Sequence, residues 1–210
     1  MPTAIPIYQL KITLKDISPP IWRRILIPAH ATFSDLHEAI QLSFGWTDSH
    51  LHEFCTEKRN GIYIDGKITD PRTLDVADSW GEPPKDERKV KLRERLPEAG
   101  QRLGYTYDFG DTWEHEVFLE KILKREEGVE YPACVAGKRS CPPEDCGGTG
   151  GYDRLLAILA DPKHEEHGDM LEWLGLEEAD EFDPEEFDAD STNELLRDGD
   201  GAEVPALSVR

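Results

Sequence analysis

Residues 134–152 read Cys134-Val-Ala-Gly-Lys-Arg-Ser-Cys141-Pro-Pro-Glu-Asp-Cys146-Gly-Gly-Thr-Gly-Gly-Tyr152, and they limit the fold more than any other stretch. Two adjacent prolines remove backbone donors and fix φ, while four glycines in five positions raise the entropy lost on ordering. That composition predicts an ordered, irregular loop with neither helix nor strand. It also divides the chain, because strand-like alternation precedes it and helix-like periods follow it. Three of the four cysteines lie inside it, so it carries dense chemistry as well.

Ahead of the loop, Tyr8, Leu10, Ile12 and Leu14 alternate with Gln9, Lys11, Thr13 and Lys15, the pattern of a strand with one wet face. Pro19-Pro20 closes a turn, and residues 21–27 predict a second strand antiparallel to the first. Thr32 or Ser34 caps a helix running to Phe44, with Leu36, Ile40 and Phe44 on one face and Gly45 as the stop. Residues 51–56 and 61–64 predict another strand pair, turned at Arg59-Asn60-Gly61, and the polar residues 65–88 a long loop. A further hairpin alternates through Leu103, Tyr105, Tyr107 and Phe109, turns at Gly110-Asp111, and returns through Trp113, His115, Val117 and Leu119. Residues 151–160 and 162–174 predict two short helices. The sum is an α+β fold with a largely antiparallel sheet, a β-β-α-β-β N-terminal half of β-grasp-like order, and C-terminal helices. Residues 1–175 are expected to form one domain. Residues 176–210 are expected to form an acidic extension whose last thirteen residues are disordered.

The net charge of −20 is unevenly placed, with residues 161–210 contributing −15 of it and residues 1–160 only −5. An acidic chain lacks the Lys and Arg that displace counterions from phosphates, which argues against nucleic acid as a partner. Arg23-Arg24 with Lys11 and Lys15 form too small a basic strip to reverse this. No apolar run is long enough to span a bilayer, and the first residues lack a basic-then-apolar leader pattern. A cytoplasmic location is therefore expected, where cysteines read as metal ligands or free thiols before disulfides.

Two constellations carry chemistry. Cys134, Cys141 and Cys146 are spaced Cys-x6-Cys-x4-Cys, with His164 and His167 following. Three thiolates and one imidazole make a reasonable closed zinc site, although beyond Cys141-x4-Cys146 the second short knuckle of zinc fingers and ribbons is missing. The same cysteines suit small buried packing groups equally well. Cys146 also precedes a glycine run and a helix start, where a thiolate would be favoured. That run is neither a Walker loop nor Gly-x-Gly-x-x-Gly. In the second constellation, His50 and His52 are two apart, on one face if both lie in a strand. With His115 and Asp111, or Asp108, they form a candidate metal or acid–base set.

Four segments carry a resemblance: residues 18–24 (SPPIWRR), 45–54 (GWTDSHLHEF), 107–115 (YDFGDTWEH) and 141–148 (CPPEDCGG). They are similar to the plasmid pRiA4b ORF-3-like family over residues 6–188. Members of that family are mostly described as uncharacterised proteins, some encoded beside insertion sequences. The resemblance implies a shared surface at the matching positions and supplies no catalytic residues. The leading expectation is a cytoplasmic accessory protein that acts by binding, through another protein, with a structural zinc. The alternatives are a metal-dependent hydrolase using His50, His52, His115 and Asp111, and a transposon-associated nucleic-acid factor.

Overall fold

Alternation becomes sheet wherever one face meets the core. The computed structural model describes residues 5–59, 62–73 and 83–199. In β1 (Ile7–Leu14), Tyr8, Leu10, Ile12 and Leu14 are buried while Gln9, Lys11 and Thr13 stay half-exposed. β2 (Trp22–Pro28) pairs antiparallel with it, placing Leu10 opposite Ile25. α1 (Phe33–Phe44) begins at Thr32, whose hydroxyl accepts the Asp35 N–H while the Asp35 carboxylate accepts the Thr32 N–H. It stops at Gly45, where φ is 77°. Phe33, Leu36, Ile40 and Phe44 are buried, each such side chain contributing roughly 1.5–3 kcal/mol. The Phe33 ring meets Phe54 edge-on at 5.0 Å, and Phe44 meets His115 at 5.0 Å, so the helix lies over the middle of the sheet.

β3 (His52–Arg59) and β4 (Ile62–Thr69) form the next hairpin. Residues 65–69, expected as loop, continue β4, because Ile68 and Thr69 find buried positions against β3. The tip of the predicted turn, residues 60 and 61, lies outside the described residues. A short β5 (Lys85–Asp86) joins β4 in parallel, and α2 (Leu92–Arg95) follows. β6 (Arg102–Tyr107) and β7 (Trp113–Leu123) make the hairpin that the alternation predicts. β8 (Ala133–Lys138) pairs with β2. The sheet order is β5-β4-β3-β6-β7-β1-β2-β8, antiparallel except for β4–β5, so the fold is α+β. The β-β-α-β-β order of the N-terminal half is present, with the β6–β7 hairpin seated between its two strand pairs.

β8 corrects the reading of residues 134–152 as wholly irregular. The prolines of this stretch come only at Pro142 and Pro143, which leaves Ala133 to Lys138 free to pair, Gly137 included. The outer edge of β8 is covered by one side chain. Asn193 accepts the Cys134 N–H at 2.7 Å and donates to the Cys134 carbonyl at 2.8 Å, replacing a neighbouring strand. Asn193 belongs to α5 (Ala189–Asp198), after α3 (Gly148–Ala160) and α4 (His167–Leu174). Residues 176–199 thus pack on the body. Leu176, Phe182 and Leu196 are buried, and the Arg23 guanidinium lies 4.4 Å from the Phe187 ring centre. Gly137 permits this, since a Cβ there would stand 2.6 Å from Phe187. Disorder was expected for the last thirteen residues, and eleven of these, 200–210, lie outside the described residues. Among the described residues, no helix is long and apolar enough to cross a membrane.

Candidate functional site

The cysteine set does not assemble. Among the described residues, two groups of three His, Cys, Asp or Glu side chains hold ligand atoms within 4.8 Å of one another. Neither contains Cys134, Cys141, Cys146, His164 or His167. A cation already occupies one thiol, because Arg23 donates to Cys141 Sγ at 3.0 Å. His167 is held by the Ile158 carbonyl at 2.9 Å, and His164 precedes α4, accepting the Glu166 N–H at 3.2 Å. The two histidines therefore share no helical face. Burial, then the Asp111 charge, pushes the Cys146 thiol up to about 12, and burial pushes Cys141 up to about 11, so neither is an activated thiolate.

The glycines after Cys146 have a packing reason. A Cβ on Gly148 would stand 2.5 Å from the Asp111 carbonyl oxygen, and one on Gly151 only 1.8 Å from that of Cys146. The Gly147 N–H donates to the Asp111 carboxylate at 3.0 Å, which closes this helix start against the β6–β7 turn. Asp111 is thereby committed to the fold.

The set His50, His52, Asp111 and His115 is also split. The shared strand face assumed for His50 and His52 fails because β3 begins at His52, leaving His50 in the preceding loop. His115 is a core residue. Its Nδ1 bonds the Trp113 carbonyl at 2.9 Å, and its ring sits among Phe44, Trp46 and Tyr105. Burial lowers its pKa to about 3, so it is neutral.

The structure instead forms two histidine–carboxylate groups around the loop of residues 46–51. In the first, His37 from α1 and His52 from β3 stack face to face, centroids 3.4 Å apart and planes within 6°. His37 Nδ1 meets the Tyr105 hydroxyl at 2.8 Å and Nε2 meets Asp48 at 3.1 Å, while His52 Nε2 meets Glu87 at 2.6 Å. Burial lowers the His37 pKa against the opposing pull of Asp48. Burial acts to raise Asp48, but the His37 bond and nearby positive charge outweigh it and leave Asp48 below the carboxylate range. Parallel rings aim their nitrogen lone pairs alongside each other instead of at one point, so this group is built for internal bonding.

The second group is His50, Asp108 and Asp145. His50 Nδ1 is 3.8 Å from Asp108, and Nε2 is 3.2 Å from Asp145 without the alignment of a hydrogen bond. His50 is half-buried, Asp108 is buried, and the Asp145 side chain is 70% exposed. Asp48, Asp108 and Asp145 all take left-handed backbone, at φ of 52°, 53° and 60°. That conformation is uncommon outside glycine, though Asp adopts it more readily than most residues. Beside them Tyr107 donates to Glu144, and burial, then Glu144, raises its pKa far above that of an ordinary phenol. Leu51 and Phe109 stand exposed on the rim, where Asp108 N–H bonds the Leu51 carbonyl at 2.9 Å.

Sequence reasoning missed His37, Asp48, Glu87, Glu144 and Asp145 as site residues. The one available signal was that residues 45–54, 107–115 and 141–148, three of the segments carrying the family resemblance, each supply members of this cluster. The chain matches the family model for plasmid pRiA4b ORF-3-like protein over residues 6–191. It is 37% identical over 175 residues to uncharacterized protein y4hQ of Sinorhizobium fredii (strain NBRC 101917 / NGR234), covering 80% of this chain and 81% of that one. Its structure is similar to the crystal structure of the protein of unknown function MM3350 from Methanosarcina mazei Go1. There the TM-score is 0.73 and the identity 46%, over 90% of this chain and 98% of that one. On the match of sequence and fold across nearly its whole described length, the chain belongs to the plasmid pRiA4b ORF-3-like family.

Proposed function

We propose that this chain is a binding protein whose cleft holds a divalent transition cation, such as zinc, on His50, Asp108 and Asp145. The observation that carries the reading is the convergence of one imidazole and two carboxylates, their donor atoms within 4.8 Å of one another. Donors around a tetrahedral ion at about 2.0–2.2 Å stand roughly 3.3–3.6 Å apart, so small side-chain rotations bring these three onto one ion. Two carboxylates beside one imidazole offer a cation both charge and a nitrogen donor. Imidazole with carboxylates suits zinc, manganese or iron better than it suits calcium. The expectation of bound zinc is thereby moved from the thiols to this cleft.

Titration of the purified chain with Zn2+ in a calorimeter tests the proposal. One ion per chain is expected, with binding lost in His50→Ala. Absence of heat from the wild type would contradict the proposal. A hydrolytic reading is second, supported by one observation: three protein donors leave a coordination position for water. It expects ester or phosphoester cleavage that requires both added Zn2+ and His50.

A further inference from the structure

We propose that the Tyr107 hydroxyl is the positioning group of this cation site and sets how tightly its three ligands hold an ion. The inference rests on the cation reading above and deepens it. The ligands come from residues 50, 108 and 145, on three separate segments. Nothing in the covalent chain brings them into register. A ring of hydrogen bonds does.

The His50 N–H donates to the Tyr107 oxygen at 3.3 Å, and the Tyr107 O–H donates to one oxygen of Glu144. The other Glu144 oxygen accepts the Thr47 N–H at 3.2 Å and also the Thr47 hydroxyl. Thr47 leads back along the chain to His50, which closes the ring. Every ligand is a member of this ring or the next residue to one. His50 is in it, Asp108 follows Tyr107, and Asp145 follows Glu144. Tyr107 is the junction nearest the ligands, because one atom of it touches both other segments, which are also tied more loosely by the Asp108 N–H to the Leu51 carbonyl and the Gly147 N–H to Asp111.

Packing separates the hydroxyl from the ring. Trp46 stacks on the Tyr107 ring at 5.1 Å between centres, and its own Nε1–H is bound by the Pro142 carbonyl at 2.9 Å. A phenylalanine at 107 keeps that stack and removes the hydroxyl's bonds to Glu144 and to the backbone of residues 49 and 50. The segments then remain near one another while the ligand atoms lose their fixed spacing. Outer-shell partners of metal ligands typically contribute about 10- to 100-fold in affinity.

The test uses the full chain with Zn2+ for affinity and Co2+ for its ligand-field absorption. Tyr107→Phe is expected to weaken Zn2+ about 10- to 100-fold and to change the Co2+ band, since the coordination geometry changes. Glu144→Ala, which opens the same ring from the other side, is expected to do likewise, and it serves if the first variant folds poorly. Wild-type affinity in both variants would overturn the proposal while leaving the cation reading intact. Weaker binding with an unaltered Co2+ band would also overturn it, by making the loss a general structural one. Failure of the wild type to bind either metal would remove the cation reading and this inference with it.

Discussion

The two histidine–carboxylate groups use nearly the same residue types and are built to opposite ends. In the buried one, both nitrogens of His37 and one of His52 are bonded within the protein, and the rings lie flat against each other. In the other, His50 faces two carboxylates at 3.2 and 3.8 Å with no hydrogen bond from Nε2. Residue type alone would rank them equally as metal sites. What separates them is ring geometry and His37, whose two nitrogens are both spent on the fold; His52 Nδ1 is as unpartnered as His50 Nε2, and Asp108 already accepts the Gly110 N–H at 2.8 Å.

The largest expected effect breaks the comparison on its buried side. His52→Ala leaves the Glu87 carboxylate buried without its hydrogen-bond partner and removes the ring stacked on His37, and an unsatisfied buried polar group costs about 1–3 kcal/mol, more when charged. His50→Ala removes a half-exposed contact and is expected to shift stability by less than about 1 kcal/mol, while abolishing cation binding. Urea denaturation of both variants, with and without Zn2+, reads the difference. Equal stability losses would erase the distinction between the groups.

Acid sharpens it next. Native His115 takes a proton only near pH 3, whereas an unfolded histidine takes one near 6.5, as its ordinary value requires. Between those values the unfolded chain holds the extra proton, so stability falls as pH is lowered, by up to about 1.4 kcal/mol per pH unit. The lowered pKa of His37 adds a loss of the same sign. Denaturation midpoints between pH 7 and 4 are expected to drop in the wild type and to drop less in His115→Phe. The smallest effect is expected at Cys146→Ser, which should leave the Zn2+ stoichiometry unchanged and alter stability by about 1 kcal/mol or less.

Much of the frame was legible in the residues. The alternation of Tyr8 to Leu14 and of Leu103 to Leu119 specified strands because one face of each is buried, and Thr32 and Gly45 bounded α1 through local capping. The site was legible only in pieces. His50 was identified, but its partner was taken to be His52, since period-two logic holds only inside a strand and His50 lies just outside one. Asp145 was overlooked between a proline pair and a cysteine, where its left-handed φ of 60° has no signature in sequence. His37 sat unnoticed on the apolar face of α1, because only the fold brings Tyr105 and His52 to it. Contacts between residues 37, 52, 87 and 105 depend on sheet order, which no local pattern encodes.

Anomalous diffraction from crystals of the full chain grown with Zn2+ tests the central claim most directly. One strong peak is expected about 2.0–2.2 Å from a His50 ring nitrogen and from carboxylate oxygens of Asp108 and Asp145. A peak at the thiols of Cys134, Cys141 or Cys146, or no peak in the cleft, would contradict it.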